Sequence, residues 1–257
     1  MRHLQYLTAF AVIIAVAGGA SAQSLTARTV RFNSDALGGG QGTFAILVPP
    51  AYAASEKRYP VVYLLHGGTQ NHSAFPARSW FAKEVTRREM IVVMPHVPQS
   101  LYNTRGATSS IAFLDFIVQD VVKYVDANYR TVASREARAI AGLSMGGFGA
   151  VMTGLTHPEL FGHVGAFSGA FTAGREKLIL EAVDRLSNDV APYVYLACGV
   201  EDAVVDASRE FAALLSERKI PHEYREVPGG HTWEVWDPQT LAFLDLLSRR
   251  PAWPRAR

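Results

Sequence analysis

Apolar residues fall along this chain in two alternating rhythms. Short apolar runs at Val61 to Leu65, Ile91 to Met94, Ala137 to Ala141, His163 to Phe167 and Tyr193 to Cys198 have the length of strands buried on both faces. His222 to Val227 continues the alternation as a further strand. Between them lie segments with apolar residues at helical spacing: Trp80 to Arg88, Leu114 to Tyr129, Gly147 to Thr156, Arg175 to Leu186, Val205 to Arg218 and Trp233 to Ser248. Strand and helix in strict alternation predict an α/β fold, a mostly parallel sheet covered by helices on both faces. Ahead of it, Thr29 to Asn33 and Thr43 to Val48 flank Gly38-Gly39-Gly40 and predict an antiparallel hairpin.

No repeat, low-complexity tract or linker interrupts the pattern, so residues 23–257 read as a single domain. Between Phe167 and Tyr193 there is room for one loop and one helix, which excludes a large lid domain there. The longest irregular stretch, Pro95 to Ser110, reads as a loop over the site, and the tail from Pro251 to Arg257 reads as loosely held.

Composition narrows the function classes. The 257 residues are 49% hydrophobic and 19% charged, an ordinary globular balance with enough apolar material for one substantial core. Net charge is +2, from 25 basic and 23 acidic residues without a run of either sign, which argues against a nucleic-acid partner. Residues 1–22 carry the layout of a cleavable signal peptide: Met1-Arg2-His3, the apolar Leu7 to Ala17, then Ala20-Ser21-Ala22. The apolar run is shorter than the roughly 20 residues that cross a bilayer, so the expected product is secreted or periplasmic and has no membrane span after processing. Cys198 is the only cysteine, which excludes an intramolecular disulfide; its apolar neighbours Tyr193 to Ala197 make it a small core hydrophobe rather than a nucleophile.

The candidate chemistry begins at Gly142-Leu143-Ser144-Met145-Gly146, a Gly-x-Ser-x-Gly sequence between a predicted strand and a predicted helix. A serine at so sharp a corner takes strained backbone angles, and glycines two residues to either side keep strand and helix from colliding. A serine hydroxyl needs a base, and His231 in Pro228-Gly229-Gly230-His231 stands after the last strand and before the last helix. His157 precedes Pro158 at a helix end, where it caps, and His163 and His222 begin strands. The acid that orients the imidazole falls in the loop after Cys198, where Asp202 is preferred and Glu201 and Asp206 compete. For the developing oxyanion, the amide of Met145 follows the nucleophile, and the loop after Val61 to Leu65 supplies a second donor, assigned to Gly68. His66 is expected to brace that loop. Phe75, Trp80, Phe171 and Trp236 are further candidates to line an apolar pocket, with Tyr102 and Trp233 preferred as substrate-binding residues.

Taken together, His66-Gly67-Gly68, Ala141 to Gly147, Phe167-Ser168-Gly169, Cys198 to Asp202 and Gly229 to Trp236 resemble the putative-esterase family of α/β-hydrolases, from about Thr29 to Leu247. That family includes tributyrin and feruloyl esterases, S-formylglutathione hydrolases and mycolyltransferases. The resemblance implies an α/β-hydrolase fold with Ser144 as nucleophile, Asp202 as acid, His231 as base, and Met145 and Gly68 as oxyanion donors. It departs at His96, where many relatives carry an Asp after the Met-Pro that ends the strand. The expected activity is hydrolysis of a small-molecule carboxylic ester through an acyl-serine, with no metal or organic cofactor required. An acyltransferase on the same fold, or an exported binding protein without catalysis, are the competing readings. Oligomeric state and the identity of the ester have no signal in the sequence.

Overall fold

The computed structural model describes residues 26–97, 112–172 and 174–257. The predicted signal segment, Tyr102 and most of the Pro95 to Ser110 loop lie outside the described residues. Eight strands form one sheet: β1 (Arg28–Ser34), β2 (Gly40–Leu47), β3 (Val61–Leu65), β4 (Ile91–Pro95), β5 (Arg138–Leu143), β6 (His163–Phe167), β7 (Tyr193–Gly199) and β8 (His222–Val227). Their spatial order is β1-β2-β4-β3-β5-β6-β7-β8. Only the β1–β2 and β2–β4 pairings are antiparallel; β3 through β8 pair in parallel. The expected α/β-hydrolase architecture is therefore realised, with the predicted hairpin added at one edge.

The helices are α1 (Phe81–Thr86), α2 (112–128), α3 (Met145–Thr156), α4 (Arg175–Arg185), α5 (Val205–Glu217) and α6 (Trp233–Arg249). Their placement explains the unbroken strand runs. On β3, Val61, Tyr63 and Leu65 pack toward α2, α3, α4 and α5, whereas Val62 and Leu64 pack toward α1 and α6. Tyr195 and Ala197 of β7 join the second face, and Val194 and Leu196 the first. In β3, β4, β5 and β6, covered on both faces, every position is buried and the period-two signal disappears, whereas β1 and β8 at the sheet edges keep polar, partly exposed positions. Between β6 and β7 stands α4 alone, so no lid domain is inserted there.

Two expectations are corrected. Helix α2 is not uniform: its middle, Phe116–Val122, is π-helical, a local widening that apolar periodicity does not report. The tail is not loose. Arg58 and Arg257 exchange backbone hydrogen bonds of 2.6 and 3.0 Å, and Trp253 is buried with its ring against His163.

The corner between β5 and α3 is closed by contact of bare backbones. A Cβ on Gly142 would lie 2.4 Å from the Gly146 carbonyl oxygen, and one on Gly146 would lie 2.3 Å from that of Leu65. Backbone cannot step aside as a flexible side chain does. Gly146→Ala is therefore expected to lower stability by about 3 kcal/mol or more, read as a fall in soluble yield and in the denaturant midpoint. A midpoint within error of the parent would show that the corner has slack.

Candidate active site

Ser144 sits at the β5–α3 corner with φ 53° and ψ −118°, a conformation costly for any residue with a Cβ. Its N–H donates to the Phe167 carbonyl at 2.9 Å, which ties the corner to β6. The hydroxyl lies 2.9 Å from His231 Nε2, and His231 Nδ1 lies 2.9 and 3.1 Å from the two carboxylate oxygens of Asp202. The three side chains come from loops after β5, β7 and β8, which parallel pairing brings to one end of the sheet. Asp202 is shut off from solvent at 0% side-chain exposure, whereas the imidazole keeps 39%. The Val204 N–H donates to Asp202 Oδ1 at 3.0 Å and fixes the carboxylate. With Nδ1–H directed at Asp202, Nε2 is the free acceptor for the serine proton.

The competing residues go elsewhere. Glu201 is exposed, and Asp206 pairs with Arg209 at 2.8 Å. His157 closes α3 beside Glu159, His163 is buried in β6 against Trp253, and His222 is bonded to Ile220 and Ser216. Cys198 is buried, and burial pushes its thiol up. Among the described residues, no group of three His, Cys, Asp or Glu side chains is placed to hold a metal ion.

Two amides meet beside Ser144. Met145 opens α3, so its N–H has no acceptor within the helix. Gly68 packs against it closely enough that a Cβ would sit 3.1 Å from Met145 Cγ. Gly67 is already committed, its N–H donating to Gln70 Oε1 at 3.0 Å, while the Gly68 amide takes up no such bond among the described residues. Gln70 is a supporting residue that no local motif singles out.

His66 is a brace, as its sequence position implied. The Val97 N–H donates to its Nε2 at 3.1 Å, which leaves the proton on Nδ1 to donate to the Gly67 carbonyl at 2.7 Å. The loops after β3 and β4 are thereby joined. His96, the departure from the family pattern, stacks on His66 at 5.6 Å and meets His72 edge-on at 5.8 Å, so it belongs to this brace. Burial pushes the His66 imidazole down to about 4, opposed by its bond to Gly67, and burial with the nearby Arg250 does the same to His163. The unfolded chain takes up these protons near pH 6.5 and the folded chain only near 4, so stability falls as pH drops through that window. Each histidine is expected to remove about 2 kcal/mol by pH 5. Thermal melts between pH 7.5 and 5 read this directly, and a flat melting temperature would contradict it.

Of the aromatic candidates, Trp233 lines an open cavity of about 280 Å³ with Gln70, Asn71, Ser73 and Arg78, a cavity whose lining does not include Ser144 or His231. Phe75 and Phe171 pack into the interior. They are fully buried, Phe75 edge-on to Trp233 and Phe171 to Phe211, because their loops fold inward onto the two cores. Trp80 is half-buried against Phe81. Trp236 is buried with its ring perpendicular to His231 at 4.9 Å, where it limits rotation of the imidazole.

A contact chain continues outward from that ring. Trp236 meets Trp233 at 5.5 Å, the Arg78 guanidinium lies 4.7 Å over Trp233, and Arg78 forks onto Asp237 through bonds of 2.6 to 3.1 Å. Arg78 belongs to the segment that carries Gly68, and Asp237 to the helix that follows His231. The fork thus ties the segment that carries Gly68 to the helix that follows His231. Arg78→Ala is expected to lower kcat about tenfold with KM within about twofold, since small misplacements of reacting groups are costly. An unchanged kcat would show that the tie is dispensable.

The comparisons with known proteins follow this geometry. An esterase of Mycobacterium tuberculosis (strain H37Rv) is 26% identical over 251 residues, spanning 79% of this chain; this chain spans 55% of that protein's length. An acetyl esterase of Caldicellulosiruptor saccharolyticus is 25% identical over 73% of this chain and 83% of its own length. Among solved structures, a ferulic acid esterase from Anaeromyces mucronatus superposes with a TM-score of 0.72 at 25% identity, covering 85% of this chain and 89% of that one. The family model described as "Putative esterase" matches residues 34–245, which take in the corner at Ser144, the loop of Asp202, the loop of His231 and the strand that ends at Leu65, just before His66. With the corner at Ser144 and seven of the eight strands inside a match that covers most of its length, the chain belongs to this esterase family of α/β-hydrolases.

Proposed function

We propose that this protein is a serine carboxylic-ester hydrolase that works through an acyl-Ser144 intermediate. The observation that carries the reading is the continuous path from Ser144 Oγ through the imidazole of His231 to a desolvated Asp202, with both imidazole bonds at 2.9 Å. In this scheme Nε2 takes the serine proton as Oγ attacks the ester carbonyl. The buried carboxylate stabilises the imidazolium, and the amides of Met145 and Gly68 receive the oxyanion. Collapse of the tetrahedral species passes the proton from Nε2 to the departing alkoxide. Water then repeats the sequence on the acyl-enzyme and releases the acid.

The substrate reading is a small-molecule ester, supported by the family and by relatives named as acetyl and ferulic acid esterases. The proposed location is outside the cytoplasm, on the strength of the signal-like residues 1–22; among the described residues no helix is long and apolar enough to cross a membrane. Intact-mass spectrometry during turnover of a nitrophenyl ester tests the mechanism. An adduct of one acyl group that maps to Ser144 is expected, with a burst of nitrophenol equal to the enzyme concentration. Turnover without any adduct or burst, under conditions where deacylation is slowed by low temperature, would contradict the covalent route.

A further inference from the structure

The segment 251–257 takes no part in the catalytic geometry. It walls a cavity of about 710 Å³ at the end of the sheet where the parallel strands begin, beside Pro60 ahead of β3 and Glu89 ahead of β4. Ser144 follows the opposite end of β5. Because a strand advances about 3.3 Å per residue, the two places lie about 20 Å apart along the sheet.

Five arginines line this cavity, Arg87, Arg88, Arg249, Arg250 and Arg255, against two carboxylates and no lysine. Both carboxylates are already engaged: Asp245 receives Arg88 at 2.6 Å, and Glu89 lies 3.7 Å from Lys57. Arg88, with a 5% exposed side chain, also contacts Glu84, as does Arg87. That leaves Arg249, Arg250 and Arg255 without an ion pair among the described residues. The end of α6 accounts for part of this charge, since a helix C-terminus carries roughly half a negative charge, but it cannot offset three cations.

Arg250 has the most definite geometry of the three. Its guanidinium carbon lies 3.8 Å from the centroid of the Tyr193 ring, and its Nε is buried without a hydrogen-bond partner among the described residues. The opposite wall is held in place by the paired backbones of Arg58 and Arg257 and by the buried Trp253. A guanidinium fork matches the paired oxygens of an oxyanion better than a point charge does, and three unpaired cations call for more than one carboxylate. The volume is that of a small-ligand site.

We propose that this cavity binds a phosphate-bearing ligand, either a soluble phosphorylated small molecule or a phospholipid headgroup, on the face opposite the active site. Occupancy there leaves the Ser144 end of the sheet open to solvent, so ligand binding and ester hydrolysis are separable. Calorimetric titration of the full chain with pyrophosphate at low salt forms one arm of the test. Sedimentation with vesicles of phosphatidylglycerol and phosphatidylcholine, against phosphatidylcholine alone, forms the other.

Saturable pyrophosphate binding is expected, weakened about tenfold or more in Arg250→Gln/Arg255→Gln. The same loss is expected in Arg249→Gln/Arg255→Gln, which alters exposed side chains alone and guards against misfolding. Lys177→Gln/Arg185→Gln removes equal charge from α4 and should bind as the parent does. Nitrophenyl acetate hydrolysis should be unchanged in all three. Recruitment to the anionic vesicles that fails in the cavity variants assigns the site to a headgroup, whereas pyrophosphate binding without recruitment assigns it to a soluble ligand. The proposal is overturned if neither probe binds, or if the cavity variants and the α4 control behave alike.

Discussion

Ser144→Ala is expected to lower kcat/KM for nitrophenyl acetate by at least about 10⁴-fold while leaving the fold intact. Among the described residues this is the one hydroxyl bonded to His231 Nε2, so its removal leaves the imidazole with no nucleophile but water. The loss should not be total, because the amides of Met145 and Gly68 and the binding surface remain and still favour a tetrahedral species. Structural collapse is not expected to contribute. Alanine keeps the Cβ that the φ of 53° must already tolerate, and the N–H bond to Phe167 is a backbone bond. The melting temperature should therefore stay within about 2 °C of the parent, and reaction with a fluorophosphonate should vanish. Hydrolysis within tenfold of the parent, in a protein shown to be folded, would remove Ser144 from the mechanism and with it the serine-hydrolase reading.

The features that were legible in the sequence share a physical cause, which is that each is enforced within a few residues. Strands β3, β5 and β7 read plainly because burial on both faces turns them into apolar runs. The corner at Ser144 reads plainly because backbone-to-backbone contact admits glycine alone at Gly142 and Gly146. The order of Ser144, Asp202 and His231 is not local in this sense; it is read from the chain order that hydrolases of this topology share, and parallel strands bring the three loops to one end of the sheet.

What stayed hidden depends on residues distant in the chain. Arg78 and Asp237 are 159 positions apart, and nothing near either one marks it as a partner. The tail carries the local signals of a loose end, two prolines and two arginines, yet Trp253 finds His163 at the start of β6 and Arg257 finds Arg58. Phe75 and Phe171 looked like pocket residues because they lie in loops beside the site; only the direction in which those loops turn buries them. The choice among Glu201, Asp202 and Asp206 was of the same kind. Their spacing in sequence is close, and what separates them is that one is desolvated while its neighbours stay in water.

That separation makes a sharp test of the acid. Asp202→Asn is expected to lower kcat about 10⁴-fold near neutral pH, and Glu201→Gln to change it by less than about twofold. The asymmetry follows from a single backbone group. The Val204 N–H donates to Asp202 Oδ1 at 3.0 Å, so an asparagine keeps its carbonyl oxygen there and places its NH₂ at the Oδ2 position, the oxygen nearest His231 Nδ1. An amide donor facing Nδ1 forces the imidazole proton onto Nε2, which then cannot accept from the Ser144 hydroxyl. The isosteric change keeps the packing and inverts the tautomer. Glu201 has no comparable role, since its side chain is exposed and its fixed contact is the backbone bond from its N–H to the Gly229 carbonyl at 3.0 Å. The opposite ranking, with Glu201→Gln the more damaging, would transfer the orienting role to Glu201 and require the β7–α5 loop to turn over during catalysis.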